Sequence, residues 1–513
     1  MKSFCVVSIF FAAVFAVAAQ TNLNATAGRA MSLQDCIQEA LQHNLDLQID
    51  RYNPQISLFN LRGAYSGYDP TLNVSGTHEW NSGGFQTNGF NSTTSTSTNF
   101  VLFPRENSDQ NVFASDVGGS LPWGLQYDFV ANVEQSYGTA YFGTNNLNSR
   151  FDRNTDGSVE VDLTQHLLKD FWIDTTRLTI RVAKNRLKYS EQGLRGQIIT
   201  SVTAVANAYY ELIYALDNVT VQQEALDLAQ TQLDQDKQRV QIGTLAELSV
   251  QSDQSQVASS KANLIAAQST LETDQNTLKN LLTDDYAKWH DTDIRPTATL
   301  EAPLELFDLQ DSWSKGMTER PDLLQARLDV EKQGIQLKFD RNQIFPELDL
   351  IGSYGYAGAS RDYDGTFDQI DSGNQPYYTF GAKLSVPLAN IGPRNTYKAD
   401  KVTEEQLLLT LKQLEQTIMV QIDNTVKQAQ SDYQSVDATR EARVYAEAAL
   451  DAEQKTYAVG KATTFDVLQY QSALTTARGL EIRALANYEE ALANLAAQEG
   501  STLERNGIDI QVK

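Results

Sequence analysis

Two long stretches of the chain place apolar residues at helical spacing. Residues 123–295 and 394–513 contain no proline, and a proline inside a helix costs about 3 kcal/mol. In the second stretch the mean step between successive apolar positions is about 3.6 residues, the period of an α-helix. These positions are Leu407, Leu411, Leu414, Ile418, Ile422, Val426, Ala429, Tyr433 and Val436. The pattern predicts very long helices, the first over about residues 177–241.

A lone glycine interrupts each long helical pattern. Gly243 is the only glycine in residues 197–315, and Gly460 is the only one in residues 394–478. After Gly243, apolar residues recur at every seventh position, at Val250, Val257, Leu264, Leu271 and Leu278. A maintained seven-residue repeat predicts a left-handed coiled-coil seam. We therefore expect each long helix to turn at its glycine and return as a second helix.

Other segments alternate apolar and polar residues with a period of two. In the first half they flank a region rich in Gly, Asn, Ser, Thr and aromatic residues, at 69–166, and in the second half they lie within 347–388. Alternation of this kind, with turn-rich spacers, is typical of transmembrane β-barrel strands, although an ordinary soluble sheet produces it too. The tripeptide at 122–124, Pro-Trp-Gly, suggests an added hairpin in the first half.

The chain also repeats internally. Residues 33–76 align without a gap on residues 309–352, and farther along the two lone glycines fall at matching positions. We predict a first repeat over 33–283 and a second over 309–499, with a linker at 284–308 and a tail at 500–513. The first copy carries additional residues between its matching blocks, within 69–166, and the sequence leaves open whether they add membrane strands or only extracellular loops.

The N-terminus has the pattern of a secretory signal peptide. Lys2 precedes an apolar run over 4–15, and the small residues at 16–19 offer a cleavage site. The run is too short to span a bilayer as a helix. We expect residues 1–19 to be a signal peptide and residues 20–32 to be an N-terminal segment.

Composition excludes several classes of function. With 65 acidic and 41 basic residues the formal charge is −24, which disfavours binding to nucleic acid. The two cysteines and four histidines lie far apart and predict neither a disulfide framework nor a metal site. No nucleotide-binding or hydrolase motif occurs. We therefore expect no catalytic residue, metal or cofactor, and predict that the protein is not an enzyme.

Taken together, these features resemble the TolC family of outer-membrane efflux proteins over about residues 33–499. The matching motifs are Leu33-Gln-Asp, Asn44-Leu-Asp-Leu47, Glu319-Arg-Pro-Asp-Leu323, the strand entries at Pro70 and Pro346, Leu163-Thr-Gln-His-Leu-Leu168, Tyr457-Ala-Val-Gly460 and Phe465-Asp-Val-Leu468. Each motif alone has low specificity, whereas the order and spacing of the motifs make the whole set specific.

The resemblance implies a mainly α fold with a β-barrel part. In such a homotrimer, each protomer contributes four strands to a shared transmembrane barrel, and long coiled-coil helical hairpins form a tunnel across the periplasm. The implied function is an outer-membrane duct of a tripartite efflux or type I secretion system, passively conducting substrates. Its partners would be a periplasmic adaptor protein, an inner-membrane pump and outer-membrane lipid. The acidic charge then predicts an acidic tunnel lining and tip.

In this family the helix turns form a periplasmic gate. Asp466 falls on the position of the first gate aspartate and Tyr457 on the gate tyrosine. The sequence departs from the family at Gln469, where a second gate aspartate is expected, and at Ala462, where an arginine is expected. Asp466 would form a ring of three carboxylates in a trimer, or would only favour the start of the returning helix, since acidic residues suit a helix N-terminus.

The same turns would contact the adaptor. They consist of Gly243 and Thr244 in the first hairpin and Gly460 and Lys461 in the second. Glu247 and Asp253, which follow the first turn, would contribute to an acidic tip.

An alternative from another class is a secreted coiled-coil structural or adhesion protein with a β head. The occurrence of strand pairs in both halves of the chain argues against it, because a head would not need to recur.

Overall fold

The computed structural model describes residues 28–83, 106–141, 148–305 and 307–508. The predicted signal peptide at 1–19 lies outside these residues, as do parts of the predicted N-terminal segment and C-terminal tail. Among the described residues, no helix is both long enough and apolar enough to cross a membrane.

Helices dominate the fold, and four of them are long. They are α4 (Thr175–Gln241), α5 (Glu247–Leu282), α10 (Ile391–Ala458) and α11 (Thr464–Glu499). Pro393 lies in the first turn of α10, where a missing N–H costs little because those donors have no partner within the helix. The predicted long helices and their returns after the two glycines are confirmed.

The remaining helices are shorter. They are α1 (Leu33–His43), α2 (Leu45–Asp50), α3 (Tyr52–Gly63), α6 (Tyr286–Trp289), α7 (Leu309–Glu319), α8 (Pro321–Gln343), α9 (Tyr363–Asp371) and α12 (Thr502–Arg505), with a 3₁₀ turn at Ala64–Tyr68. Ser32 and Asp35 form a capping box at the start of α1, and Pro321 occupies the first turn of α8. The capping box gives partners to backbone donors at the start of α1, and a proline in the first turn of α8 removes a donor that would have no partner within the helix.

The described strands form two sheets. The strands are β1 (Arg29–Met31), β2 (Thr71–Gly83), β3 (Glu106–Ser120), β4 (Leu125–Tyr141), β5 (Asn148–His166), β6 (Ile294–Pro296), β7 (Glu347–Ser360) and β8 (Pro376–Ser385). Strands β1 and β6 pair in parallel. The other six form an antiparallel sheet in the order β2-β3-β4-β5-β7-β8.

The six-stranded sheet corrects one expectation. The resemblance implies four strands per protomer, whereas the described chain contributes six, because β3 and β4 form an additional hairpin between β2 and β5. The hairpin suggested at 122–124 is confirmed: Gly124 has a φ of +78° and donates its N–H to the Leu121 carbonyl at 3.0 Å. The mainly α fold with a β part is otherwise confirmed.

Helix α9 packs against one face of this sheet. Gly157 of β5 and Gly358 of β7 are register partners, and a Cβ at Gly358 would come within 2.4 Å of the Thr366 carbonyl oxygen of α9. Thr366 is fully buried and donates its hydroxyl to the Thr155 carbonyl at 2.8 Å. The paired glycines therefore let the helix approach the sheet closely.

The chain divides into two compact units, each assembled from segments of both predicted repeats. The boundaries of those repeats stay a prediction. The first unit comprises 1–45, 201–306 and 427–494, and it contains the two helix turns. Its core includes Tyr209, whose hydroxyl donates to the Met31 carbonyl at 3.1 Å.

The second unit comprises 46–200, 307–426 and 495–513, and it contains the six-stranded sheet. Its helices bury a cluster made of Leu323, Ile418, Ile422, Val426 and Leu495. Beside the cluster, the Trp313 indole donates to the Met419 carbonyl at 3.2 Å, which satisfies the one polar atom of that ring.

Candidate functional site: the helix turns

Both helical hairpins turn through the same backbone motif. Gly243 and Gly460 have φ values of +76° and +74°. In the first turn Gly243 donates to the Val240 carbonyl at 2.9 Å and Thr244 to the Arg239 carbonyl at 2.9 Å. In the second, Gly460 and Lys461 repeat these bonds at 3.0 and 3.1 Å. Helices commonly end with this pair of hydrogen bonds at a residue in the left-handed backbone conformation.

Steric crowding by neighbouring atoms does not explain why glycine occupies these two positions. A Cβ built on Gly243 or on Gly460 meets no atom within 4 Å. The positive φ is therefore the reason for glycine, since other residues rarely adopt it. Directly before the glycines, Ile242 and Val459 are 74% and 70% exposed in the protomer, so each turn presents an apolar side chain to its surroundings.

A buried hydrogen-bonded link joins the two hairpins near their turns. The Tyr457 hydroxyl of α10 donates to the carboxylate of Asp236 on α4, at 2.7 and 2.8 Å from its two oxygens. Thr464, at the start of α11, lies 2.9 Å from the tyrosine hydroxyl and donates to Asp236 at 3.1 Å. Asp236 is fully buried and Tyr457 is 6% exposed. The carboxylate is thereby bound by groups from both ends of the second turn.

Arg239 completes this cluster, which we call the tip link: Asp236, Arg239, Tyr457 and Thr464. Its guanidinium lies 4.4 Å from the centroid of the Tyr457 ring, a favourable cation–π contact. Burial is the main cause of a raised pKa for the tyrosine hydroxyl, so this hydroxyl stays a donor at neutral pH. The link thus supplies hydroxyl donors to a carboxylate removed from water and places a positive charge beside the tyrosine ring.

Asp253, predicted to belong to an acidic tip, is buried instead of exposed. It lies on α5, has no exposed surface, and neither of its oxygens has a hydrogen-bond partner among the described residues. Burial, together with the negative charge of Asp236, raises its pKa to about 7. A second carboxyl therefore lies beside the Asp236 carboxyl of the tip link, and burial and this neighbour both favour its protonated form.

Asp466 caps the start of α11. It accepts hydrogen bonds from the Thr463 backbone N–H at 3.0 Å and from the Thr463 hydroxyl at 2.6 Å. In return, the Asp466 N–H donates to the Thr463 hydroxyl at 3.3 Å. These bonds lower the pKa of the carboxyl. The capping role considered from the sequence is thus realised in the protomer, and the role of a gate ring stays a prediction.

The other predicted residues lie apart from the tip link. Gln469 lines an open groove with Ser252, Gln256, Phe465 and Leu468. Glu247 lies exposed in the first turn of α5, where its charge favours the helix N-terminus. The structure therefore brings Tyr457 and Asp253 toward one buried carboxylate, whereas Asp466, Gln469 and Glu247 lie at accessible positions around it.

The sequence motifs do not identify Asp236, the centre of the link. The sequence contains a signal for Asp236, because this residue lies at helical spacing among the apolar positions of α4, which are Ala229, Leu233 and Val240. A carboxylate within an apolar stripe needs a buried partner. No group of three or more His, Cys, Asp or Glu side chains suited to a metal ion occurs in the part of the chain that the structure describes.

The buried Asp253 gives a pH-dependent prediction. Its folded-state pKa of about 7 lies above the ordinary value of 3.8, so folding loses stability as pH rises from about 4 to 7, and the full penalty acts above pH 7. Replacing Asp253 with Asn should slow amide hydrogen exchange at the start of α5 at pH 8, after correction for intrinsic rates, with little change at pH 4. The exposed exchange Glu247→Gln serves as control, and equal slowing by Asp253→Asn at both pH values would contradict this account.

Comparison with known proteins identifies the family. A family model described as Outer membrane efflux protein matches residues 136–283 and 314–501, which is more than half of the chain. The chain is 25% identical to the outer membrane protein TolC of Escherichia coli (strain K12) over 316 residues, covering 60% of this chain and 62% of that protein. To the outer membrane protein TolC of Vibrio cholerae it is 26% identical over 366 residues, covering 69% and 78%.

The fold agrees with these matches. The solved structure of the outer-membrane channel OprN superposes with a TM-score of 0.66 at 15% identity, covering 91% of this chain and 90% of that one. The TolC-like fold expected from the sequence is therefore confirmed. The family model matches most of the helical regions and part of the strand regions of the chain. This chain therefore belongs to the outer membrane efflux protein family.

Proposed function

We propose that the protein is the outer-membrane duct of a tripartite efflux or type I secretion system. The observation that carries this proposal is the six-stranded sheet, whose strands expose an apolar face on one side and a polar face on the other. In a membrane such a sheet must close on itself, because unpaired strand edges are not tolerated in lipid. Three copies closing one barrel, with the long helical hairpins forming a tunnel below it, satisfy this requirement.

The duct acts passively in this proposal. The protein conducts substrates that an inner-membrane pump delivers through a periplasmic adaptor, and the energy comes from the pump. The two helix turns are the proposed adaptor contact, since Ile242 and Val459 present apolar side chains beside polar Thr244 and Lys461. A crosslinker placed at either turn should capture the adaptor in cells.

The test separates the duct from a secreted adhesion protein. The full chain should fractionate with the outer membrane, run as a trimer in mild detergent, and give discrete conductance steps in planar lipid bilayers. A monomer in the soluble fraction without channel activity would overturn the proposal and favour the coiled-coil adhesion protein.

Asp466 is expected to contribute to closure of the duct. If three Asp466 carboxylates narrow the pore, Asp466→Ala should raise single-channel conductance severalfold. Thr463→Ala is the matched control, because it removes the hydroxyl of the same capping box and leaves the carboxylate in place. Equal conductance changes in the two variants would show that Asp466 acts only as a helix cap.

A further inference from the structure

The six-stranded sheet has two open edges. Strand β2 pairs with β3, and β8 pairs with β7, and within the described residues neither edge strand has a second partner. All neighbouring strands in the sheet are antiparallel. With an even number of strands, β2 and β8 run in opposite directions. The β8 edge of one copy can therefore continue an antiparallel ladder onto the β2 edge of the next copy.

The additional hairpin shares the two-faced pattern of the other strands. One row of register partners crosses all six strands and is apolar or aromatic throughout: Leu72, Val117, Phe129, Val161, Tyr354 and Tyr378. Four of these side chains are at least half exposed in the protomer, namely Leu72, Phe129, Tyr354 and Tyr378. The residues of β3 and β4 thus continue the apolar surface that β2, β5, β7 and β8 form.

The adjacent row faces the opposite side and consists of five polar residues and one glycine. Its members are Thr71, Gly118, Asp128, Asp162, Ser353 and Thr379. Farther along the same face, Asp116, Glu134 and Glu160 add further carboxylates. Alternation of this kind along every strand separates a lipid-facing side from a lumen-facing side.

We propose that each protomer contributes all six strands to the shared barrel, so that a trimer closes eighteen strands where the family resemblance implies twelve. The inference rests on the proposed function, since it assumes a trimer in the outer membrane. Strand β8 of each copy pairs with β2 of its neighbour. The apolar face contacts lipid at the row of Phe129 and Val161, whereas farther along the strands α9 covers the same face at Gly157 and Gly358. The carboxylates line the lumen. Barrel diameter grows roughly in proportion to strand number, so this mouth is about 1.5 times as wide as a twelve-stranded one.

Placing the β3–β4 hairpin outside the barrel is unfavourable. It would require β2 to leave β3 and β4 to leave β5, and thus would break two long antiparallel ladders. It would also expose Phe129 to water on a hairpin without a lipid contact. If both ladders are kept, β3 and β4 remain in the barrel, and the mouth of the barrel is therefore wide.

The experiment uses cysteine variants of the full chain, labelled with a fluorophore and reconstituted as trimers in liposomes. Phe129→Cys and Asp128→Cys report on the two faces of β4, and Val161→Cys and Asp162→Cys report on β5, which belongs to the barrel in either arrangement. We expect quenchers attached to lipid chains to quench labels at positions 129 and 161 equally. Water-soluble quenchers should act instead on labels at positions 128 and 162.

The labels on β5 distinguish failure of the eighteen-stranded barrel from failure of the proposed duct. Lipid quenching at position 161 without quenching at position 129 would overturn the eighteen-stranded barrel while leaving the duct intact. Absence of lipid quenching at both positions would overturn the proposed membrane duct. Electron cryomicroscopy of the unmodified trimer in lipid nanodiscs gives an independent count, in which twelve strands would refute the inference and eighteen would support it.

Discussion

Replacing Tyr457 with phenylalanine is expected to raise the open probability of the channel in planar bilayers by roughly ten- to a hundredfold. The Tyr457 hydroxyl is 2.7 and 2.8 Å from the two oxygens of buried Asp236. A hydrogen bond to a charged group contributes about 1.5–3 kcal/mol, and leaving a buried acceptor short of a donor costs a similar amount. A change of 1.4 kcal/mol shifts an equilibrium about tenfold.

This expectation rests on the proposed function, in which the helix turns close the duct. Asp236 belongs to the first hairpin, whereas Tyr457 and Thr464 flank the turn of the second. The phenylalanine variant keeps the aromatic ring and its contact with Arg239 and removes only the hydroxyl. Gln232 of α4 and Thr464 still donate to the carboxylate, at 3.1 Å each, but only Thr464 comes from the second hairpin. The second hairpin is therefore held less strongly to the first.

Tyr445→Phe is the matched control, because Tyr445 lies on the same helix and is 71% exposed in the protomer. It should leave the open probability unchanged. An open probability for Tyr457→Phe equal to that of the unmodified protein would show that the tip link does not hold the channel closed.

Replacing Leu323 with alanine is expected to destabilise the protein by about 2–5 kcal/mol. Leu323 lies in the first turn of α8, is fully buried, and packs with Ile418, Ile422 and Leu495. The truncation leaves a cavity among side chains from three helices that cannot fully collapse into it. Thermal unfolding of the detergent-solubilised protein, followed by circular dichroism at 222 nm, should show a lower Tm by several degrees.

The control for this prediction is Leu323→Met, which nearly preserves side-chain volume and should cost less than about 1.5 kcal/mol. Comparable losses from both substitutions would indicate that shape and not volume governs this site. An unchanged Tm for Leu323→Ala would contradict the assignment of Leu323 to a tightly packed core.

Much of the helical architecture could be predicted because it depends on local chemistry. Missing prolines, apolar residues at helical spacing, and lone glycines all act within a few residues of their own position. The requirement for positive φ at Gly243 and Gly460 is of this kind, since no neighbouring side chain occupies the space of a Cβ there. The hairpin at 122–124 was also visible, because its turn is determined by Gly124 and the residues around it.

The candidate site was only partly predictable. Motif position and proximity to a turn indicate Tyr457 and Asp253, but Asp236, the acceptor of the Tyr457 hydroxyl, lies 221 residues away from Tyr457 in the chain. The spacing of Asp466 from the turn suited either a gate or a cap. Its bonds to Thr463 show the cap, because that interaction involves residues three positions apart and forms within a single protomer.

The sequence by itself determined the long helices, their turns and the period-two strands, since backbone preference and hydrophobic spacing are encoded locally. Only the tertiary structure decided that six strands share one sheet and that Asp236 is the buried acceptor of the tip link. Both results depend on pairing between distant segments: a strand edge accepts any partner with matching register, and a buried carboxylate is stable only where donors from another helix reach it.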